Sequence, residues 1–374
     1  LLEWMTAAQA GSSAMPSLTR QYLRMLPGVA LGLVASGAAL MINPAAWPLP
    51  VVFGLAWLAA PAVARWVSLP RKPRSTAALS VAEATALRLI ARRTWRYFET
   101  FVTPEENHLP PDNFQETPKP VIASRTSPTN IGLYLLSTVA AHDLGWIGRR
   151  TALLRLKDTL QTIQRMPRYR GHLYNWHDTR DLRVLEPSYV SSVDSGNLAG
   201  HLIAVAQACR DWAQGGGATE AVMRQALGDT LELARMAMPE KSDLTQALDD
   251  LAEQLSFAST PLSELTGAVE RLVQPQNDAS PELAFWVSAL HTTLADHLED
   301  LSQSPDIALL AEIETLCRSI AMEMDFGFLL DPDKKLLSIG FNVATNRLDA
   351  NCYDLLASEA RLASLFAIAK GDVE

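Results

Sequence analysis

From Leu26 to Ala64 the chain carries no charged side chain, a run of 39 residues. Arginines border it on both sides: Arg20 and Arg24 before, Arg65, Arg71 and Arg74 after, with Lys72 beside them. In hydrocarbon the backbone must satisfy its own hydrogen bonds, so such a run folds as helix. Asn43-Pro44 divides it into two apolar segments, Leu26–Ile42 and Trp47–Ala64. Each is near the lower limit of about 17–25 residues that a bilayer crossing needs. The expected element is therefore a two-helix transmembrane hairpin. A secretory signal fits poorly, because two runs follow each other without a cleavage-like boundary. A buried pair of core helices is the alternative, and the flanking arginines argue against it. Gly28, Gly32 and Ser36 are spaced four apart, which suits close approach of another helix. The connecting turn has no cation, so by the positive-inside rule both ends of the hairpin, and all that follows, lie in the cytoplasm.

These borders divide the chain into a juxtamembrane lead-in at 1–25, the hairpin at 26–67, a basic proline-containing linker at 68–78, and a helical domain at 79–374. The net charge of −9 and the lack of a basic stripe with interleaved aromatics argue against nucleic acid as a partner. Cys209, Cys317 and Cys352 are far apart and form no CxxC, so neither a disulfide framework nor a zinc site is indicated. The chain opens Leu-Leu-Glu, and helical periodicity still runs at its end; it is expected to be an internal segment of something longer.

Beyond the linker the pattern is helical. Ser80 should cap a helix running to about Val102, with Leu87, Ile90, Tyr97, Phe98 and Phe101 at helical spacing. Six prolines between Pro104 and Pro128 exclude regular helix there. Thr126–Asn130 opens the next helix, with Pro128 at its first turn. Further helices are expected over Gly148–Met166, from Asp194 to the Gly215–Gly217 break, from Ser280-Pro281, and over about Asn351–Lys370. Phe326–Asn342 changes period, and Asp331-Pro332-Asp333 marks a small β-hairpin. No GxGxxG, GxxxxGK[ST] or HExxH occurs. The class is thus all-α, built of helix hairpins. Such hairpins can close into a toroid that gathers long loops on one face, or stay an open array.

Two loops within His108–His201 carry the polar chemistry. Arg125, Thr126, Ser127 and Asn130 form a dense set that suits hydroxyl binding, although Thr126 or Ser127 can equally cap a helix. Tyr174, Trp176 and Tyr189 can stack on a ligand or fill space beneath a loop. Asp194, beside Ser195 and Asn197, is either a helix cap or a hydrogen-bond acceptor for a ligand. Glu116, Asp178 and Glu186 are the other loop carboxylates, and Glu359 with Arg361 reads as an internal ion pair. His172 and His177 lack a third ligand, so no metal is expected.

Four stretches are more specific: QETPKPVIASRTSPTNIGLYLLST (115–138), HLYNWHDT (172–179), PSYVSSVDSGNLAGHL (187–202) and YDLLASEARLASLFAIAKGD (353–372). In these the chain resembles the bacterial cyclic β-1,2-glucan synthases, over nearly its whole length. The resemblance implies a multi-pass inner-membrane enzyme that joins a UDP-glucose-dependent transferase, a glycoamylase-like (α/α)6 middle domain and a phosphorylase-like region. This chain would hold the last membrane helices and an incomplete, C-terminally truncated toroid of the middle domain, which cyclises linear β-1,2-glucan by retaining transglycosylation. UDP-glucose would serve the transferase part, with no cofactor for this segment. Its partners would be the glucan, the bilayer and the other domains of the same polypeptide.

Retaining transfer needs two carboxyl groups about 5–5.5 Å apart. Asp194 and Glu116 are the candidates here, though the family's catalytic glutamates are expected beyond residue 374, leaving this segment inactive alone. Arg125, Thr126, Asn130, Trp176, His177, Asp178, Asp194 and Asn197 are expected to bind the glucan. A membrane-tethered docking module, with Asp194 and Asn197 bonded only to backbone, and a glucan-trimming hydrolase are the alternatives.

Overall fold

The computed structural model describes residues 18–68, 79–239, 244–257, 259–273, 280–353 and 360–374. The expected lead-in up to residue 17, most of the linker, and Glu359 lie outside the described residues. The chain divides into two compact units, at Leu1–Leu79 and Ser80–Glu374.

In the first unit, α1 (Leu18–Ile42) and α2 (Pro48–Ser68) are joined by Asn43 and a 3-10 turn at Pro44–Ala46. Both are longer than the uncharged runs suggested, and α1 takes in Arg20, Tyr22 and Arg24 instead of leaving them in a lead-in. Both are long and apolar enough to cross a bilayer. Of the four-spaced small residues, Gly32 lies under the Trp57 ring, where a Cβ would come within 2.2 Å, and Ser36 faces Gly54. Gly28 has open space around it. Two thirds of that stripe thus serves contact within the hairpin. Tyr22 adds a hydrogen bond from its hydroxyl to the Leu58 carbonyl at 2.9 Å.

The second unit begins with α3 (Val81–Phe101), held at its start by a capping box in which Ser80 and Glu83 satisfy each other's backbone N–H. Then follow α4 (Pro128–Asp143), α5 (Arg149–Arg165), α6 (Ser192–Ala213), α7 (Glu220–Met236), α8 (Thr245–Ser256), α9 (Thr266–Val273), α10 (Pro281–Ser302), α11 (Ile307–Glu323) and α12 (Ala360–Lys370). Ser127 caps α4 with Pro128 as its first residue, and Ser280 caps α10 with Pro281 as its first. A short turn joins α4 to α5, which pack together as a hairpin. The fold is mostly helical, as the periodicity predicts.

At the centre stands α6. It packs on α4, α11 and α12. Leu198, Leu202, Val205, Ala206 and Cys209 along it are fully buried. A second apolar cluster joins α7 to α10 around Leu227, Leu248, Leu265, Trp286 and Leu290.

Helical periodicity hides the strands. The hairpin foreseen at Asp331–Asp333 is present as β8 (Leu330–Asp331) against β9 (Leu336–Leu337). Further two- and three-residue pairings occur in the loops: β1 (Phe114–Gln115) with β2 (Val121–Ile122), and β4 (Arg168–Tyr169) with β5 (His172–Leu173). A three-stranded antiparallel sheet joins β7 (Tyr189–Ser191), β10 (Gly340–Asn342) and β11 (Arg347–Leu348). Every pairing described is antiparallel. Gly340 is required there, since a Cβ would meet the Val190 carbonyl oxygen at 2.3 Å and the Tyr189 ring at 2.4 Å.

Candidate functional site

Two loops far apart in sequence are joined by one small ladder. β3 (Arg125–Thr126) pairs with β6 (His177–Asp178), Arg125 opposite Asp178 and Thr126 opposite His177. α4 opens directly after β3, and α6 directly after β7. The two helices approach closely because α4 presents Gly132 to His201 of α6; a Cβ at Gly132 would lie 2.5 Å from the imidazole Nδ1. Near their starts they are tied by Asn197, in the second turn of α6, whose Nδ2 donates to Thr129 Oγ1 at 3.1 Å. The polar residues of both loops therefore meet where α4 and α6 begin.

A continuous set of contacts runs across this point. Asn130 Nδ2 donates to Asp112 Oδ1 at 3.3 Å, while Arg125 donates to Asp112 Oδ2 through Nε at 3.2 Å and Nη2 at 3.0 Å. The Arg125 guanidinium lies 4.7 Å over the Trp176 ring, a cation–π contact. With the Asn175 amide oriented by its hydrogen-bonding neighbours, its nitrogen donates to Asp194 Oδ2 at 3.0 Å and its oxygen accepts from Trp176 Nε1 at 3.3 Å. Two carboxylates, Asp112 and Asp194, thus flank an Arg–Trp stack whose guanidinium side chain is 50% exposed. Such a surface offers acceptors, donors and an aromatic face, which is what a polyhydroxylated ligand needs. Asp112 also reaches Tyr97, whose hydroxyl is pushed up to about 12 by burial and by that carboxylate.

The expected site residues do not all share one place. Arg125, Asn130, Trp176, Asp194 and Asn197 come together, and all are at least partly exposed. Thr126 and His177 lie opposite each other in the ladder but are fully buried. Burial pushes the His177 imidazole down to about 4, and its Nε2 faces the Pro167 carbonyl at 3.4 Å. Both belong beneath the surface. Asp178 accepts from the Arg180 N–H at 2.9 Å and so shapes its own turn. Glu116 is exposed in the loop of the β1–β2 hairpin, apart from these contacts.

Asp194 is not the helix cap. Ser191 is, accepting from the Asp194 N–H at 3.2 Å, so Asp194 is the third helical residue and its carboxylate is left for Asn175. Of the aromatics, Tyr189 packs against Gly340 and bonds to Asp349 at 3.5 Å, which makes it a filler. Trp176 is the ring that faces a partner. Asp112 and Asn175 are not among the expected residues; their signals in the sequence are an Asp-Asn pair following two prolines and an Asn beside the Trp. Nor is Glu106, which is buried under the same loops and accepts from Ser124 and Thr179. Among the described residues no group of three His, Cys, Asp or Glu side chains is placed to hold a metal ion.

The chain is 44% identical over its full length to the cyclic beta-(1,2)-glucan synthase NdvB of Rhizobium meliloti (strain 1021). The whole chain is similar to a glucan synthase. It spans 14% of that relative's length. A family model described as a protein of unknown function (DUF3131) matches residues 89–198, the stretch from mid-α3 into α6 that contains every contact of the candidate site up to Leu198. Two solved structures described as glucoamylases, from Bacteroides fragilis and Bacteroides caccae, align to the chain. The first is 20% identical with TM-score 0.31, covering 44% of this chain and 38% of its own. The second is 18% identical with TM-score 0.29, covering 40% and 36%.

Proposed function

We propose that the chain is part of a membrane-bound cyclic β-1,2-glucan synthase, and that its helical unit holds linear β-1,2-glucan for closure into a ring by retaining transglycosylation. The full-length 44% identity to a synthase of that product carries this reading. The group at the openings of α4 and α6 supplies its chemistry. Asp112 and Asp194 accept from sugar hydroxyls, Asn130 and Asn197 bond to others, and the Arg125–Trp176 stack takes a pyranose face. None of these is assigned as nucleophile or acid. Both Asp194 and Asn197 are bonded to side chains of the neighbouring loop and helix rather than to backbone alone, which favours a ligand-facing surface over a docking module.

In this reading α1 and α2 lie in the bacterial inner membrane with the helical unit on the cytoplasmic side, and UDP-glucose is used by another part of the same polypeptide. The test is calorimetric titration of the detergent-solubilised chain with a linear β-1,2-linked gluco-oligosaccharide, beside a β-1,4-linked control. Selective binding that weakens in Trp176→Ala is expected. A folded chain that binds neither sugar would overturn the reading.

A further inference from the structure

A second polar hollow lies on the helical unit, away from the openings of α4 and α6. Glu99 of α3, Trp146 in the α4–α5 turn, Arg155 of α5, and Phe285, Thr292 and Asp296 of α10 line it. Its volume is about 180 Å³, or some six waters at roughly 30 Å³ each. That is room for one small ring, not for a polymer.

The walls are fixed before any ligand arrives. Glu99 takes both terminal nitrogens of the fully buried Arg92, at 2.6 and 3.3 Å. Asp296 accepts from the Gly148 N–H at 2.8 Å; burial pushes its carboxyl up, opposed by that bond. Arg155 reaches the Tyr134 hydroxyl at 3.2 Å, and Trp146 Nε1 donates to Asp229 at 3.1 Å. Phe285 is held beneath Arg96, 4.2 Å from its ring. Charges of both signs stand around the hollow, so neither an anion nor a cation is favoured. Carboxylate acceptors, a guanidinium donor, exposed hydroxyls on Ser288 and Thr292, and aromatic walls suit a neutral polyhydroxylated ring.

Its position gives it a use. The hollow adjoins the turn that follows α4, whereas the first site lies where α4 begins. α4 has 16 residues, about 24 Å at 1.5 Å per residue. One sugar cannot touch both places, but a chain can. We propose that the hollow is a second sugar site, holding one glucose-type ring of a glucan chain while a distant part of that chain occupies the α4–α6 openings. This rests on the glucan reading above.

The experiment titrates the detergent-solubilised chain with a β-1,2-linked glucose disaccharide, too short to bridge the sites. Ser288→Trp blocks the hollow from an exposed position, and Thr292→Trp does so from a second should the first fail to fold. Two binding sites are expected in the parent protein, one in either blocked variant, one in Trp176→Ala, and none in the combination. Unchanged stoichiometry in folded Ser288→Trp and Thr292→Trp would overturn the second site and leave the first standing. Loss of a site on blocking, with Trp176→Ala unaffected, would support the hollow and refute the α4–α6 site.

Discussion

Asp194→Asn separates the two uses of a carboxylate at the start of a helix. Because Ser191 supplies the cap, the substitution removes no capping bond. Two stabilising effects are lost. A negative charge in the first turn of a helix contributes about 0.3–1 kcal/mol. The bond from Asn175 at 3.0 Å survives, as an amide oxygen can accept it, but loses its charge assistance, worth about 1 kcal/mol. The total is about 1–2 kcal/mol, a fall in Tm of roughly 2–6 °C for a domain of this size. Binding should suffer more. A hydrogen bond from a sugar hydroxyl to a carboxylate contributes about 1.5–3 kcal/mol, so its weakening should reduce affinity by up to about 10- to 150-fold. Ser191→Ala is the matched control: it removes the cap at a cost of about 0.5–2 kcal/mol and leaves the carboxylate. The assays are a thermal melt and calorimetric titration with linear β-1,2-linked gluco-oligosaccharide. Affinity for the sugar unchanged in Asp194→Asn, or lost equally in Ser191→Ala at the same Tm, would refute the reasoning.

Other expectations test the frame around the site. Gly196→Ala would place a Cβ 2.5 Å from the backbone of Ala363, forcing α12 away from α6; a loss of about 1–3 kcal/mol is expected from such overpacking, and an unchanged melt would contradict the packing. His172, His177 and His297 are each pushed down to about 4, mainly by burial. With an unfolded value near about 6.5, the unfolded chain binds more protons between those limits. Their contribution is therefore complete above about 6.5 and lost as pH falls toward 4, so Tm should fall across that window, less steeply in His297→Leu. For the hairpin, Asn43→Cys in a background lacking Cys352 should react with an impermeant thiol reagent from outside intact cells, while a cysteine at exposed Ser288 should not; the reverse pattern would invert the topology.

Helix ends were legible because their causes are local. Ser80, Ser127 and Ser280 each accept from a backbone N–H three residues on, and Pro128 and Pro281 follow two of them as first helical residues. The apolar hairpin was legible for the same kind of reason: a charge-free run limits what its own backbone can do, whatever else the chain contains. Asp194 shows where local reasoning stops. Its place near a helix start was visible, but Ser191 and Asp194 are both acceptable caps, and the choice was made by β7, whose pairing with β10 sets where α6 begins.

The site itself was legible only as a list. Residue types suited to hydroxyl binding could be read from two loops, yet nothing local distinguishes His177 from Trp176, its neighbour. Pairing with Thr126 buries His177 at the start of β6, while Trp176, just before that strand, lies against Arg125. Asp112 was missed because its role depends on partners 13 and 18 residues away, Arg125 and Asn130. Composition and spacing thus determine most of the helices, the caps at Ser80, Ser127 and Ser280, and the membrane-length hairpin, since those are settled within a turn or two of backbone. Which polar side chains share one surface depends on the β3–β6 ladder and on Gly132 letting α4 approach α6, contacts that exist only once distant segments are packed together.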